Sequence, residues 1–253
     1  MIRLLLPLLL SMSFSGMLHA SMPPTDVSSP EQIDLTPLDK VAVWQDGRLK
    51  SFQSFARSLM QHVTGPRLVN GQPETFTCLD IAFRPGAYED VPIIYVKKKP
   101  VRSAIINAAM ASGSITPGEI KAFMETGLVR PSLLRDPTVS RQLDAMRTDV
   151  LRFARPVDEI TTAMSLLEPG VIRRQLFIIP PMTASFDDPW QTMDTYEAIF
   201  RRTDPTAAGM DTYITQWRDL ASAWSEGDTA TVNRAVSNLG NWIPSMGRSV
   251  FAD

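Results

Sequence analysis

The chain has 253 residues, with 25 basic and 27 acidic side chains, and this near-neutral balance argues against a nucleic-acid binder, which needs a concentrated basic footprint. Its one cysteine, Cys78, leaves no internal disulfide, so stability in an oxidising compartment has to come from packing. About 230 residues remain past a 20-residue N-terminal signal, enough to bury a real core as one large domain or two small lobes.

The first residues, MIRLLLPLLLSMSFSGMLHA, have the three parts of a secretory signal. Arg3 supplies the positive region, Leu4 to Phe14 the apolar stretch, and Leu18-His19-Ala20 a cleavage site after Ala20. The less usual Leu18 leaves an uncleaved anchor as the alternative. The apolar run is shorter than the roughly 20 residues of a spanning helix, and no later run approaches that length. The sequence therefore predicts an exported, periplasmic protein whose mature part has no spanning segment of its own. Residues 21–36, rich in Pro, Ser and Thr, read as a flexible leader, with order beginning near Pro37.

Next, VAVW-QDG-RLKSF predicts a hairpin turning at Asp46-Gly47. Ser51 or Ser54 can cap a helix to about His62, with Phe52, Phe55, Ala56 and Leu59 as its buried stripe and Thr64-Gly65-Pro66 as its stop. Gln72 to Phe83 reads as a second helix with Phe76, Leu79 and Phe83 on one face. Val91 to Val96 is a β-branched run and the best strand candidate; the lysines that close it, Lys97-Lys98-Lys99, read as a solvated strand end or a docking patch. Val101 to Ala111 is helical. Thr116-Pro117-Gly118-Glu119 then opens a helix as a capping box, with Ile120, Phe123, Met124 and Leu128 on its apolar face. Helices are expected over 138–153 and 156–168, with a break at Pro169-Gly170.

Gln175 to Ile179 reads as a second strand, and Ser185 to Trp190 as a loop. Thr192 begins a helix carrying Met193, Tyr196, Ile199 and Phe200. Two long helices, 207–225 and 229–242, are joined by Glu226-Gly227-Asp228. Trp217, Leu220 and Trp224 would face Val232, Ala235, Val236, Leu239 and Trp242 in an antiparallel hairpin. No repeat of fixed period is visible. The fold class expected is mainly α: an irregular helical domain with a small β-hairpin and short-strand element and a C-terminal antiparallel helical hairpin. It would span 37–253, whole or as lobes 37–170 and 171–253.

Residues with chemical potential are few. Past the signal the chain has one histidine, His62, and a triad or a standard zinc site needs more. His62 reads as an axial haem ligand or as a polar residue at a helix end, where the dipole favours a cation. Cys78, in TFTCLDIAF, reads as a core thiol, since no basic cluster adjoins it to lower its pKa. Asp187-Asp188 and Glu89-Asp90 are sequence neighbours, whose side chains usually diverge, whereas acid–base pairs face one substrate. No phosphate loop and no G-x-S-x-G occurs. No catalytic residue, metal or cofactor is therefore predicted, although carboxylates scattered in sequence can still meet in a fold. Arg48, Lys50 and Arg57 cluster around the hairpin, and Arg48 and Lys50 share one side of its second arm. They read as contacts to carboxylates of a partner or of haem propionates, or as surface cations pairing with Asp39 or Asp46. Trp190 and its loop make a second candidate contact.

Several stretches also match a known pattern in order. Trp44-Gln45-Asp46-Gly47-Arg48-Leu49-Lys50, Ala56-Arg57 and Thr64-Gly65 follow P-V-Q-x-x-G-R-V-K-P-L-D-T-x-A-R with its trailing helix, with Ser51, Gln53 and Ser54 departing from it. Cys78 to Pro85 is similar to a W-L-L-x-x-L-x-x-P helix, with Cys78 in place of Trp, and Ile94-Tyr95-Val96 to the strand after it. Ile179-Pro180-Pro181 with Trp190 is similar to an I-P-P … W segment, and Trp217 to Leu239 to a helical hairpin with G-D at its turn. Over residues 37–242 the chain thus resembles the extracytoplasmic region of cytochrome c biogenesis proteins of the ResB/CcsA type, particularly the long fused forms. The resemblance implies a place in cytochrome c maturation on the outer face of the membrane. That family's haem-handling transmembrane helices, histidines and Trp-rich loop have no counterpart here. The expected function is thus a non-catalytic periplasmic accessory or scaffold subunit docked on a separate membrane cytochrome c assembly protein. The rival expectation is a free periplasmic peptide-binding or chaperone-like protein, which the chain's 13 methionines would also suit.

Overall fold

A computed structural model describes residues 30–181, 189–203 and 211–250. The signal, most of the leader, Asp187-Asp188 and the first residues of the 207–225 helix lie outside them. After a short helix α1 (Thr36–Asp39) come β1 (Ala42–Gln45) and β2 (Arg48–Ser51). Asp46 and Gly47 have φ of 52° and 74°, so both sit in the left-handed region that a two-residue hairpin turn requires. Ser51 ends β2 and caps α2 (Phe52–Thr64), its Oγ accepting from the Ser54 N–H at 3.2 Å. The stripe Phe52, Phe55, Ala56, Leu59 is buried, as its spacing predicts, and Met60 and Val63 extend it.

Helix α3 (Glu74–Phe83) is buried along nearly its whole length, Thr75 to Ala82. It packs against α2, against α9 (Val171–Gln175) and against α11 (Asp211–Glu226), so it has no solvent face. The expected strand 91–96 reduces to β3 (Ile94–Tyr95), which among the described residues pairs with the two-residue β4 (Leu128–Val129). After β3 come α4 (Lys99–Ser112) and α5 (Pro117–Thr126), and the Thr116–Glu119 capping box is present. The apolar face expected for α5 needs correction. Gly127, at φ 76°, turns the chain out of the helix, so Leu128 pairs across a strand instead. Met124 is exposed, and of that face only Phe123 is fully buried.

The region 131–175 is more broken than its periodicity suggests. It holds α6 (Pro131–Leu134), α7 (Pro137–Arg147), α8 (Ala154–Leu166) and α9. The expected 138–153 helix stops at Arg147. Asp149 accepts the Arg152 N–H at 3.1 Å, and the turn so formed leaves Val150 and Leu151 exposed. Beyond α9, β5 (Phe177–Ile179) and β6 (Gln191–Thr192) complete an antiparallel sheet of order β2-β1-β5-β6. Thr192 accepts the Thr195 N–H at 3.1 Å and so opens α10 (Met193–Thr203).

Helices α11 and α12 (Thr229–Val250) form the antiparallel hairpin expected from the sequence, although α12 runs on past Trp242 through Pro244. Gly227, at φ 77°, closes α11, and Asp228 caps α12 by accepting the Thr231 N–H at 3.0 Å. Trp217, Leu220 and Trp224 are buried with Val232, Ala235, Val236 and Leu239. Order begins earlier than Pro37. Ile33 and Leu35 are buried, Asp34 donates its N–H to Asn233 Oδ1 at 2.9 Å, and Asn233 Nδ2 donates to the Gln32 carbonyl at 2.9 Å. The buried apolar residues, from Ile33 to Met246, form one continuous cluster. No helix of the described residues is long and apolar enough to cross a membrane.

Candidate interaction surface

β1 lies between β2 and β5, so its residues set which side chains share the sheet's outer face. Trp44 stands opposite Leu49 on β2 and opposite Phe177 on β5. Directly opposed residues project to the same side, so Leu49, Trp44 and Phe177 form a row across three strands. All three face outward: Leu49 is 58% exposed, Trp44 38% and Phe177 37%. Trp190, just ahead of β6, extends the row, its ring parallel to that of Trp44 within 7° and 6.4 Å away between centroids. Val43, on the other face of β1, is fully buried. The left-handed turn and the Ser51 cap hold this register, and a slip of one residue would turn Trp44 inward.

Of the residues singled out from sequence, Trp190 joins this row. Arg48 and Lys50 share one side of β2, as alternation requires, but it is the side opposite Leu49. Arg48 is exposed at the hairpin end, and Lys50 donates from Nζ to Gln45 Oε1 at 2.9 Å. Arg57, on α2, pairs with Glu74 on α3 at 3.7 Å, an exposed contact of little energetic weight and not the Asp39 or Asp46 pairing weighed from sequence. His62 is exposed in the last turn of α2. Glu89 and Asp90 diverge: Glu89 pairs with Arg135, and Asp90 accepts from Ser132 Oγ at 2.6 Å.

Two buried polar centres escaped the sequence reading. Asp80, in the middle of α3, accepts from Arg84 Nε at 2.8 Å, Trp224 Nε1 at 2.8 Å and the Tyr88 hydroxyl at 2.6 Å. Burial, followed by the adjacent Asp80 charge, pushes the Tyr88 hydroxyl far above the ordinary phenol range, so it stays a donor. Arg102 donates from Nε to the Val96 carbonyl at 2.6 Å and from Nη1 to the Met124 carbonyl at 3.0 Å. It thereby ties the end of α5 to β3, with its guanidinium 5.8 Å from the Tyr95 ring centre. In both centres the charge is spent on holding elements together. Cys78 is fully buried, and burial pushes its thiol up to about 12, which makes it a core thiol rather than a nucleophile. Among the described residues no group of His, Cys, Asp and Glu has the makings of a metal site. No protein-family model matches the chain, and no curated protein matches it.

Proposed function

We propose that this chain is a non-catalytic accessory subunit of the periplasm that docks on a membrane protein of cytochrome c assembly through the row Leu49, Trp44, Phe177 and Trp190. The observation that carries this is the row itself: large apolar side chains in one contiguous, outward-facing line, the composition of an interface centre. Two sequence stretches build most of it, and both belong to the resemblance: Trp44 to Lys50, and Ile179-Pro180-Pro181 with Trp190. The place of β2 at an edge of the sheet, among the described residues, favours a second reading, a peptide-binding protein that adds an extended strand there.

Affinity capture from solubilised membranes tests the choice. Wild-type bait should recover a cytochrome-assembly membrane protein. Trp44→Ser with Leu49→Ser, both at exposed sites, should lose at least about tenfold of that recovery with circular dichroism unchanged. Recovery of no assembly component would remove the proposal, and co-purified heterogeneous peptides would replace it with the second reading.

A further inference from the structure

Away from the sheet, the turn between α7 and α8 holds Val150 at 77% exposure and Leu151 at 97%, more than any other large apolar side chain among the described residues. This tip is built rather than frayed. The Asp149 carbonyl accepts the Phe153 and Ala154 N–H groups at 2.9 and 3.1 Å, besides the Arg152 N–H on its carboxylate. Met146 before the tip and Phe153 after it pack against the core. Arg147 pairs with Asp158 at 3.1 Å and donates to Thr161 Oγ1 at 2.7 Å, which braces α7 against α8. The fold thus holds two aliphatic side chains out in water, at a cost that a contact would remove.

A second feature lies at the same end. The Asp136 carboxylate, which caps α7, meets Ser112 and Ser114 at the close of α4, and the two helices pack on each other. α7 therefore runs back along α4, and the tip beyond Arg147 lies towards the Lys97-Lys98-Lys99 end of α4. Lys97, Lys98, Lys99 and Arg152 are exposed and form no ion pair with any described residue. The acids of the tip are already engaged: Asp149 in the turn, Asp158 with Arg147, and Glu159 with Arg155.

We infer that this tip is a contact for an anionic phospholipid surface, with Val150 and Leu151 entering the boundary between headgroups and acyl chains and Lys97, Lys98, Lys99 and Arg152 lying against lipid phosphates. A bilayer surface accepts any apolar point without a shaped pocket, and anionic headgroups attract cations that stand beside it. The lysine stems let the ammonium groups stay at headgroup level while the tip goes deeper. A nucleic acid would engage the cations and leave the aliphatic tip in water. An apolar protein patch would cover the tip and strip water from the lysines without pairing them. The contact lies on different elements from the Trp44 row and does not depend on the docking reading.

Flotation of residues 21–253 with phosphatidylcholine vesicles, with and without about one-third phosphatidylglycerol, tests it. This chain keeps every described element and omits the apolar N-terminal stretch, which would itself bind lipid. Binding should saturate on the anionic vesicles, be at least about tenfold weaker on the neutral ones, and fall with added salt. Val150→Ser with Leu151→Ser should weaken it about tenfold or more, with circular dichroism and thermal midpoint unchanged, because both side chains lie outside the core. Lys97→Gln with Lys98→Gln should weaken it several-fold and flatten its salt dependence. Trp44→Ser with Leu49→Ser should bind vesicles as wild type does, which separates this contact from the docking row. Absence of binding to the anionic vesicles would overturn the assignment, as would equal binding to neutral ones. Wild-type vesicle affinity in the Val150 and Leu151 variant would overturn it too.

Discussion

Removing the Asp80 carboxylate strands donors on three side chains in the core at once: Arg84, Tyr88 and Trp224. Breaking a buried, hydrogen-bonded charge by deleting one partner costs about 3–5 kcal/mol. Asp80→Ala should lose that much in urea unfolding and lose near-ultraviolet signal from Trp224, whereas Asp80→Asn, which keeps acceptor capacity, should lose less. Half of this centre is readable in the sequence. Asp80 and Arg84 are four apart on a helix, the spacing of an ion pair, and an acid inside an apolar run calls for a partner. Trp224 is 144 residues away, and no local rule joins it to Asp80. The same divide separates Trp190, which composition marks as a candidate contact, from Phe177, whose outward direction follows from its register with Trp44.

Element ends are governed by backbone conformation, and two glycines separate its cost from that of packing. Gly113 and Gly127 close α4 and α5 at φ 68° and 76°. A Cβ on Gly113 would meet nothing, whereas one on Gly127 would run into the Arg102 guanidinium and the Tyr95 ring. Gly113→Ala should therefore cost only the left-handed strain, about 1–2 kcal/mol. Gly127→Ala should cost clearly more and loosen the β3–β4 pairing, which amide hydrogen exchange at Ile93 and Val96 would register, since their N–H groups bond across to Val129 and Gly127. The caps of α5 and α12 are legible in Thr116 and Asp228, while that of α2 is legible only as Ser51 or Ser54, and the structure assigns it to Ser51. The end of α5 is not legible: Leu128 lies four residues from Met124 and so continues the helical period, yet Gly127 diverts it to a strand. Periodicity likewise merged α7 with the turn after it, because nothing in its spacing registers that Asp149 bonds to the backbone instead.

Across the whole molecule, carboxylates of opposite tendency shape the response to acid. Hydrogen bonds from Thr36 hold Asp34 below the usual carboxylate range, and those from Thr231 do the same for Asp228. What such groups contribute is complete above about pH 4 and is lost as pH falls through their lowered folded-state values. Asp39 runs the other way. Burial, and then the Asp34 charge, push it up, and its Oδ1 is buried without a partner. Its ionisation therefore costs stability as pH rises through the carboxylate range. Asp39→Asn should raise the thermal midpoint at pH 7, with the gain fading below about pH 4, and Asp228→Asn, which keeps a capping side chain, should flatten the acid fall. A midpoint for Asp39→Asn below wild type at pH 7 would contradict this sign. The sequence by itself determined the helical class, the hairpin with its turn, the caps and the α11–α12 pair, because each rests on residues within a few positions of one another. It also placed Trp190 and the Arg48 and Lys50 side of β2 in view. Only the tertiary structure decided that residues 30–36 are clipped to α12, that α3 is surrounded on all sides, and that Leu49, Trp44, Phe177 and Trp190 line up. Those outcomes depend on which distant segments win each other's apolar surface and backbone hydrogen bonds, a competition settled by the whole chain at once.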